Sequence, residues 1–435
     1  MKKIYFFLLG CVALMFFSAC GNNQIKKNSE KQTEKSQYWL TTWSQAQKGI
    51  GLFPVNDNGR TVEYQIPIQN SGDKIKLTLG NYYSEESLRI DNVSISTKKN
   101  EEFKKVTVEE KQAFTIKAKE LVKTDPIDLA INSGESVYVR IYYAEQSEKN
   151  RAVSGNIFST SVERSVIGDF ANKNTWEQDD TYVDSFSNDP YALKYADALE
   201  QYKMRFTLTI EGVDVQTEKS GGTIVAFGDS ITEQSHWVAP LQKEVIEKLG
   251  EDYSVVNAGI SGNRLLKDIA NLPRRTQYFG LAGIERFEHD VFDTNEQVSS
   301  VIVSLGVNDL HQPGTEKQFP IEELPTFEEM ILGYEQLIKQ TKKHESKIFL
   351  ATISPFIGYT KDIKNEEKEE LRQKVNAWIR KNTEVDGIYD FDQVLADPED
   401  PTKLNSSYDS GDKLHPSEAG GAQMAKTIDV DAFKR

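Results

Sequence analysis

The sequence predicts an antiparallel β-sandwich over residues 38–218, followed by an α/β domain built on a parallel sheet over residues 219–435. Three observations predict this. Apolar residues alternate with polar ones in the first region, at Val62, Tyr64 and Ile66, at Ile75, Leu77 and Leu79, at Val137, Val139, Ile141 and Tyr143, and at Phe206, Leu208 and Ile210. That period of two marks half-buried strands, and turn signals such as Asn70-Ser71-Gly72-Asp73 and Asn132-Ser133-Gly134 separate them. After the polar stretch Glu218-Lys219-Ser220-Gly221-Gly222, short apolar runs begin to alternate with helical spacing. Alternating β and α units imply a parallel sheet with helices on both faces.

The expected strands of that sheet are residues 223–227, 254–257, 300–304, 348–353 and 388–391. The expected helices are 238–249, 327–344, 365–381 and 417–428, with Asn365 a candidate N-cap. Met330, Leu332, Tyr334 and Ile338 are the expected core contacts of the second helix.

Residues 1–19 read as an export signal. Lys2 and Lys3 precede an apolar run at 4–17, shorter than the roughly 20 residues of a spanning helix. The run ends in Phe17-Ser18-Ala19-Cys20-Gly21, which resembles a bacterial lipobox. That resemblance implies cleavage before Cys20, lipid on its sulfur, and a body anchored to the membrane outside the cytoplasm. The alternative is an ordinary signal cleaved nearby, with Cys20 incidental. The chain has two cysteines, and Cys11 lies within the signal, so a chain beginning at Cys20 has no internal disulfide. Residues 20–37 are polar, without apolar period, and read as a tether. The net charge of −15 over 435 residues argues against nucleic acid as a partner.

Sheets of this kind bind ligands beyond the carboxyl ends of their strands. Four features fall there. Gly228-Asp229-Ser230-Ile231 follows the first strand; Ser230 is either a projecting nucleophile or a helix cap. It lacks the trailing glycine of a Gly-x-Ser-x-Gly elbow, since residue 232 is Thr. Asn257-Ala258-Gly259-Ile260-Ser261-Gly262-Asn263-Arg264 follows the second strand, where Gly259 offers a backbone N–H or only a turn. Gly306-Val307-Asn308-Asp309 follows the third, where Asn308 offers an amide donor or an Asx turn. Asp412-Lys413-Leu414-His415-Pro416 places a carboxylate near an imidazole held before a proline. Together these residues comprise a nucleophile, a base, an orienter for the base and donors for an oxyanion, the set that ester hydrolysis needs.

The four segments resemble the signature blocks of the SGNH, or GDSL-type, hydrolases, over about half of the chain. The resemblance implies a flavodoxin-like three-layer fold and no metal or organic cofactor. It assigns Ser230, Asp412 and His415 to catalysis, and Ser230, Gly259 and Asn308 to the oxyanion hole. The first region is similar to the β-rich domain of some exported members, through Trp39-Leu40-Thr41-Thr42-Trp43-Ser44 and residues 257–266. Gly420-Gly421 departs from the pattern, where an aromatic is expected after the first glycine.

The expected activity is hydrolysis of acyl esters, with short acetyl esters on carbohydrate as the leading substrate class. The alternatives are a lysophospholipase or lipase, and a surface carbohydrate-binding protein without activity. His236, Trp237 and His311 follow two of the blocks and are candidates to line the cleft.

Overall fold

The computed structural model describes residues 37–49, 57–144, 152–154, 161–180, 207–218, 220–359 and 363–435. The signal segment, Cys20, nearly all of the tether and Phe206 lie outside the described residues.

Strict alternation of apolar residues produces two facing antiparallel sheets in the first region. One sheet orders Tyr38–Ser44, Ile210–Thr217, Gly72–Gly80 and Ile127–Ile131, with Leu121–Lys123 also paired to Gly72–Gly80. The other orders Ser161–Ile167, Arg60–Pro67, Ser136–Tyr143, Asn92–Ser96 and Lys104–Lys105. Side chains at period two meet between them: Val62, Tyr64 and Ile66 from one sheet, Ile75, Leu77 and Leu79 from the other, all fully buried in one cluster.

The parallel sheet begins with the strand Gly222–Gly228. Its spatial order is Tyr253–Gly259, Gly222–Gly228, Val298–Ser304, Lys347–Ala351 and Gly387–Tyr389. In chain order that is 2-1-3-4-5, the flavodoxin-like arrangement, whose switch point lies beside the first strand. Near-continuous apolar runs such as Ile224, Val225, Ala226 and Phe227 are buried on both faces, as helix-covered parallel strands require. The register aligns Gly228 with Gly259 on one side and with Ser304 on the other. Three strands therefore end at one level.

The helices Val238–Leu249, Phe327–Lys343, Asn365–Lys381 and Glu418–Lys426 occupy the expected stretches. Thr326 and Glu329 form a capping box on the second of these. Two details differ from expectation. Leu332 is 64% exposed, because Met330, Tyr334 and Ile338 already fill the core-facing stripe. Asn365 is the first helical residue and not the cap; Lys364 precedes it in a left-handed conformation, with no side-chain cap bond.

The strand Tyr38–Ser44 lies beside Tyr253–Gly259, the edge of the parallel sheet, and Gln45 forms a parallel bridge to Asn257. Side chains of the sandwich satisfy the backbone of that edge. Gln69 donates to Val255 O at 2.9 Å and accepts from Val255 N at 3.3 Å. Asn70 donates to Glu251 O and Tyr253 O; away from that edge, the Thr41 hydroxyl accepts from Glu296 N, just ahead of the strand Val298–Ser304. Both regions belong to one compact unit, Gln37–Arg435.

Replacing Gln69 by Leu strips Val255 N–H of its acceptor and Thr42 O of a donor. A loss of about 1–3 kcal/mol in unfolding free energy is expected for such orphaned groups, readable by urea denaturation. An unchanged midpoint would show that the edge is held by other contacts.

Candidate functional site

The carboxyl end of the first strand turns sharply at Gly228 and Asp229. A Cβ at Gly228 would run into Thr232 and Ser304, so only glycine fits. Asp229 is the N-cap of the following short helix, its carboxylate accepting from Ile231 N at 3.0 Å. Ser230 is thus not the cap. It is the first helical residue, where its own N–H has no acceptor within the helix.

His415 reaches that serine from the other end of the chain. Its Nε2 lies 2.8 Å from Ser230 Oγ, and its Nδ1 lies 2.5 Å from Asp412 Oδ2. The other oxygen of Asp412 accepts from Leu414 N and His415 N, at 2.9 and 2.8 Å. Partial burial opposes ionisation of Asp412, but the imidazole and these two N–H groups hold its carboxyl well below the usual carboxylate range. An ionised Asp412 accepts from Nδ1–H, which leaves Nε2 free to take the serine proton.

The loop that carries the imidazole is fastened locally. Asp409 accepts from Gly411 N and Lys413 N, and Ser410 N donates to His415 O. His236 Nδ1 lies 2.9 Å from Pro416 O, so His236 braces this loop. Gly421 packs flush on the His236 backbone, where any Cβ would collide. The Gly420-Gly421 departure from the expected pattern therefore allows the last helix to pack against His236. Trp237 is fully buried against Phe391 and belongs to the core, not to a cleft.

Asn308 stands in the first turn of the helix Val307–His311, behind Gly306 at φ +126°. Its Nδ2 donates to Asn263 O at 3.0 Å, leaving a second N–H. His311 lies buried beside it, with Nε2 2.8 Å from Asn308 Oδ1. Gly259 does not take the place expected of it. Its N–H donates to Asn257 Oδ1 at 2.9 Å, and a Cβ there would strike the Glu233 and Asp229 backbones. Gly259 is glycine so that the serine turn can pack over it. Three residues on, Gly262 has φ +76°, and its N–H has no acceptor among the described residues. Gln312 Nε2 bridges Gly262 O at 2.9 Å and Asn308 Oδ1 at 3.1 Å, so Gly262 neighbours Asn308. The donors of these segments are Ser230 N, at the start of its helix, and Gly262 N and Asn308 Nδ2, which Gln312 brings together. Gly262 stood in the same sequence block; its distance from the strand end, beyond a residue that could still be strand, hid it.

Arg286, unforeseen in the sequence, is fully buried beneath these ends. It donates to Gly228 O, Ala258 O, Asn263 Oδ1 and Asp290 Oδ2 at 2.7–2.9 Å. Burial pushes the Asp229 carboxyl up to about 7, against the Ile231 N–H it accepts, with the Asp309 carboxyl adding to the rise. Burial likewise pushes Asp309 up to about 6, although Leu265 N and Leu266 N donate to it.

These raised values fix a sign. An unfolded aspartate ionises near about 3.9, so between about 4 and 7 the folded chain holds more protons at these two groups than the unfolded chain. Their contribution to stability falls as pH rises through that window. Asp229→Asn removes one of the two, so its melting temperature should fall less between pH 5 and pH 8 than that of the native chain. Parallel slopes would contradict the assignment of a raised carboxyl to Asp229.

Residues 226–423 match the GDSL-like Lipase/Acylhydrolase family. No curated protein matches the sequence. Among solved structures, the chain is similar to a GDSL-like lipase from Bacteroides thetaiotaomicron, at 19% identity over 54% of this chain and 93% of that one, with a TM-score of 0.34. An acetylxylan esterase from Geobacillus stearothermophilus matches at 21% identity over 48% of this chain and 94% of its own, with a TM-score of 0.35. The psychrotrophic esterase EstA from Pseudoalteromonas sp. matches at 17% identity over 47% and 93%, with a TM-score of 0.33. Residues 226–423 form a GDSL-like lipase/acylhydrolase domain, and the chain that bears it is a carboxylic ester hydrolase.

Proposed function

We propose that the chain is a serine esterase that works through an acyl-enzyme on Ser230, and that its substrates are short acyl esters of carbohydrate. The observation that carries the mechanism is the unbroken hydrogen-bond line from Ser230 Oγ through the His415 ring to Asp412.

Each step follows from that line. His415 Nε2 takes the hydroxyl proton as Ser230 Oγ bonds to the ester carbonyl carbon. The carbonyl oxygen gathers the charge, facing Ser230 N–H, Gly262 N–H and Asn308 Nδ2–H. Asp412 stabilises the imidazolium that forms. Collapse of the tetrahedral species breaks the bond to the leaving oxygen, which departs with the proton from His415. Water then gives a proton to Nε2, attacks the acyl carbon, and the acid leaves as Ser230 recovers its hydrogen.

The choice of acyl and alcohol rests on the surroundings. Asn263, Asn308, His311 and Gln312 crowd the oxyanion side with buried polar groups, which suits a small acyl chain. Among the described residues the exposed large apolar side chains are Ile167, Leu332 and Tyr359, and Tyr359 stands edge-on to His415 with ring centroids 6.2 Å apart. The leaving alcohol must sit near His415 to receive its proton, so Tyr359 offers that alcohol an aromatic face, as a sugar ring would use. Anchoring through lipid on Cys20 is part of the same reading and places the enzyme outside the cytoplasm.

Ser230→Ala should reduce hydrolysis of an aryl acetate by at least about 10⁴-fold while the circular dichroism spectrum stays native. Undiminished turnover would remove Ser230 as nucleophile. Across esters from acetyl to long acyl, kcat/KM should fall with chain length; a steady rise would favour the lipase alternative.

A further inference from the structure

An asparagine amide serves an oxyanion only when its NH2 group, and not its oxygen, faces the reacting carbonyl. The orientation of Asn308 is set by a closed chain of contacts. A backbone carbonyl can only accept, so Asn263 O requires the Nδ2 end of Asn308, and Gly262 O requires the Nε2 end of Gln312. Asn308 Oδ1 then faces Gln312 Nε2 at 3.1 Å and His311 Nε2 at 2.8 Å, and both must donate to it. That selects the His311 tautomer protonated on Nε2.

Two costs accompany the arrangement. Among the described residues, His311 Nδ1 and Gln312 Oε1 are both buried without a partner. The rings of Phe356 and Tyr359 flank the imidazole, and Lys368 Nζ donates to the His311 carbonyl at 3.2 Å, not to the ring. Burial also pushes the His311 imidazole down to about 3, which keeps it neutral and able to hold a single tautomer. A pair kept only for packing would be better served by apolar side chains.

We propose that His311 and Gln312 are positioning residues that clamp Asn308 Oδ1 so that the Asn308 NH2 faces the oxyanion, with Gln312 also tying Gly262 to Asn308. The proposal rests on the serine-esterase reading given above. Gln312 thereby couples two donors that come from different strand ends, and their spacing is set before substrate arrives.

The test is steady-state hydrolysis of an aryl acetate by the full chain, in native and Asn308→Ala backgrounds. Gln312→Glu sets a carboxylate against Oδ1, and should lower kcat roughly 10- to 100-fold with KM changed less than about threefold. His311→Leu should lower kcat similarly, and His311→Gln, which retains a donor, should recover part of the loss. In the Asn308→Ala background the same changes should cost less than about threefold, because their effect passes through Asn308. Losses that multiply in full in that background would overturn the clamp, as would undiminished kcat in the native one. Should Gln312→Glu fail to fold, Gln312→Met and the two His311 variants decide the same question. Ser230→Ala measured alongside separates the two readings: if it retains turnover, the nucleophile assignment has failed, and not the clamp.

Discussion

Arg286 is the group on which the site depends. A guanidinium with no exposure costs several kcal/mol to bury unless its hydrogens are matched, and here each direction of the fork has a use. Gly228 O and Ala258 O end two adjacent parallel strands, and Asn263 Oδ1 belongs to the loop beyond the second. Asp290, one helical turn on, supplies the compensating charge at 2.7 Å, and the Phe227 ring lies 4.0 Å from the guanidinium carbon. Asn263 relays the constraint: its side chain receives Arg286, and its carbonyl receives Asn308. A single charge thus holds the strand before the serine, the loop of Gly262 and, through one residue, the amide of Asn308.

The acid–base half of the site stands on a different footing. Asp412 is 40% exposed at its side chain and His415 is 16% exposed, and both belong to a loop near the end of the chain. That loop is held by turns of its own and by His236, not by the buried network. The division suits the chemistry. Oxyanion donors gain from a dry, fixed setting because they must not reorganise as charge develops. The base must exchange protons with a leaving alcohol and then with water, so it belongs at the solvent edge.

The same contrast explains what the sequence disclosed. Ser230, Asn308, Asp412 and His415 were legible because their chemistry is local: Ser230 and Asn308 sit in short blocks beside strand ends, Asp412 and His415 in one loop before the last helix, and the structure joins Ser230, His415 and Asp412 by hydrogen bonds. Helix 238–249 was legible to the residue, and helix 365–381 in all but its cap, because their periodicity is strong. Gly262 is the proposed oxyanion glycine in place of Gly259 because the Gly259 N–H is taken by Asn257 Oδ1, a distinction that two glycines three residues apart do not show in a sequence. Arg286 gave no signal, since a buried arginine in an amphipathic stretch reads as a surface one. Gln312 lies four residues beyond Asn308, on the same helical face, but its role depends on Gly262 O, some fifty residues away in sequence.

The β-sandwich takes a place in this scheme through the sheet order. A 2-1-3-4-5 sheet leaves the strand Tyr253–Gly259 at an edge, and that strand leads into the loop of Gly262. An unpaired edge exposes a row of backbone groups and is free to fray. The sandwich lies along it, with Gln69 and Asn70 on its backbone and Gln45 bridging to Asn257. Asn257 in turn holds Gly259 N–H, Thr232 O and Ser235 Oγ, which join the edge to the serine turn. Lys48, in the short strand Gln47–Gly49 that follows Tyr38–Ser44 in the chain, approaches Glu233 at 3.5 Å, and Glu233 accepts from Ser261 N at 2.6 Å. Contacts of the first region therefore end within a few residues of both Ser230 and the Gly262 loop. A region that served only to carry the enzyme on its tether would have no need to reach so far. Bracing of the oxyanion side is the role for which its contacts supply a physical reason, whatever else its outer faces bind.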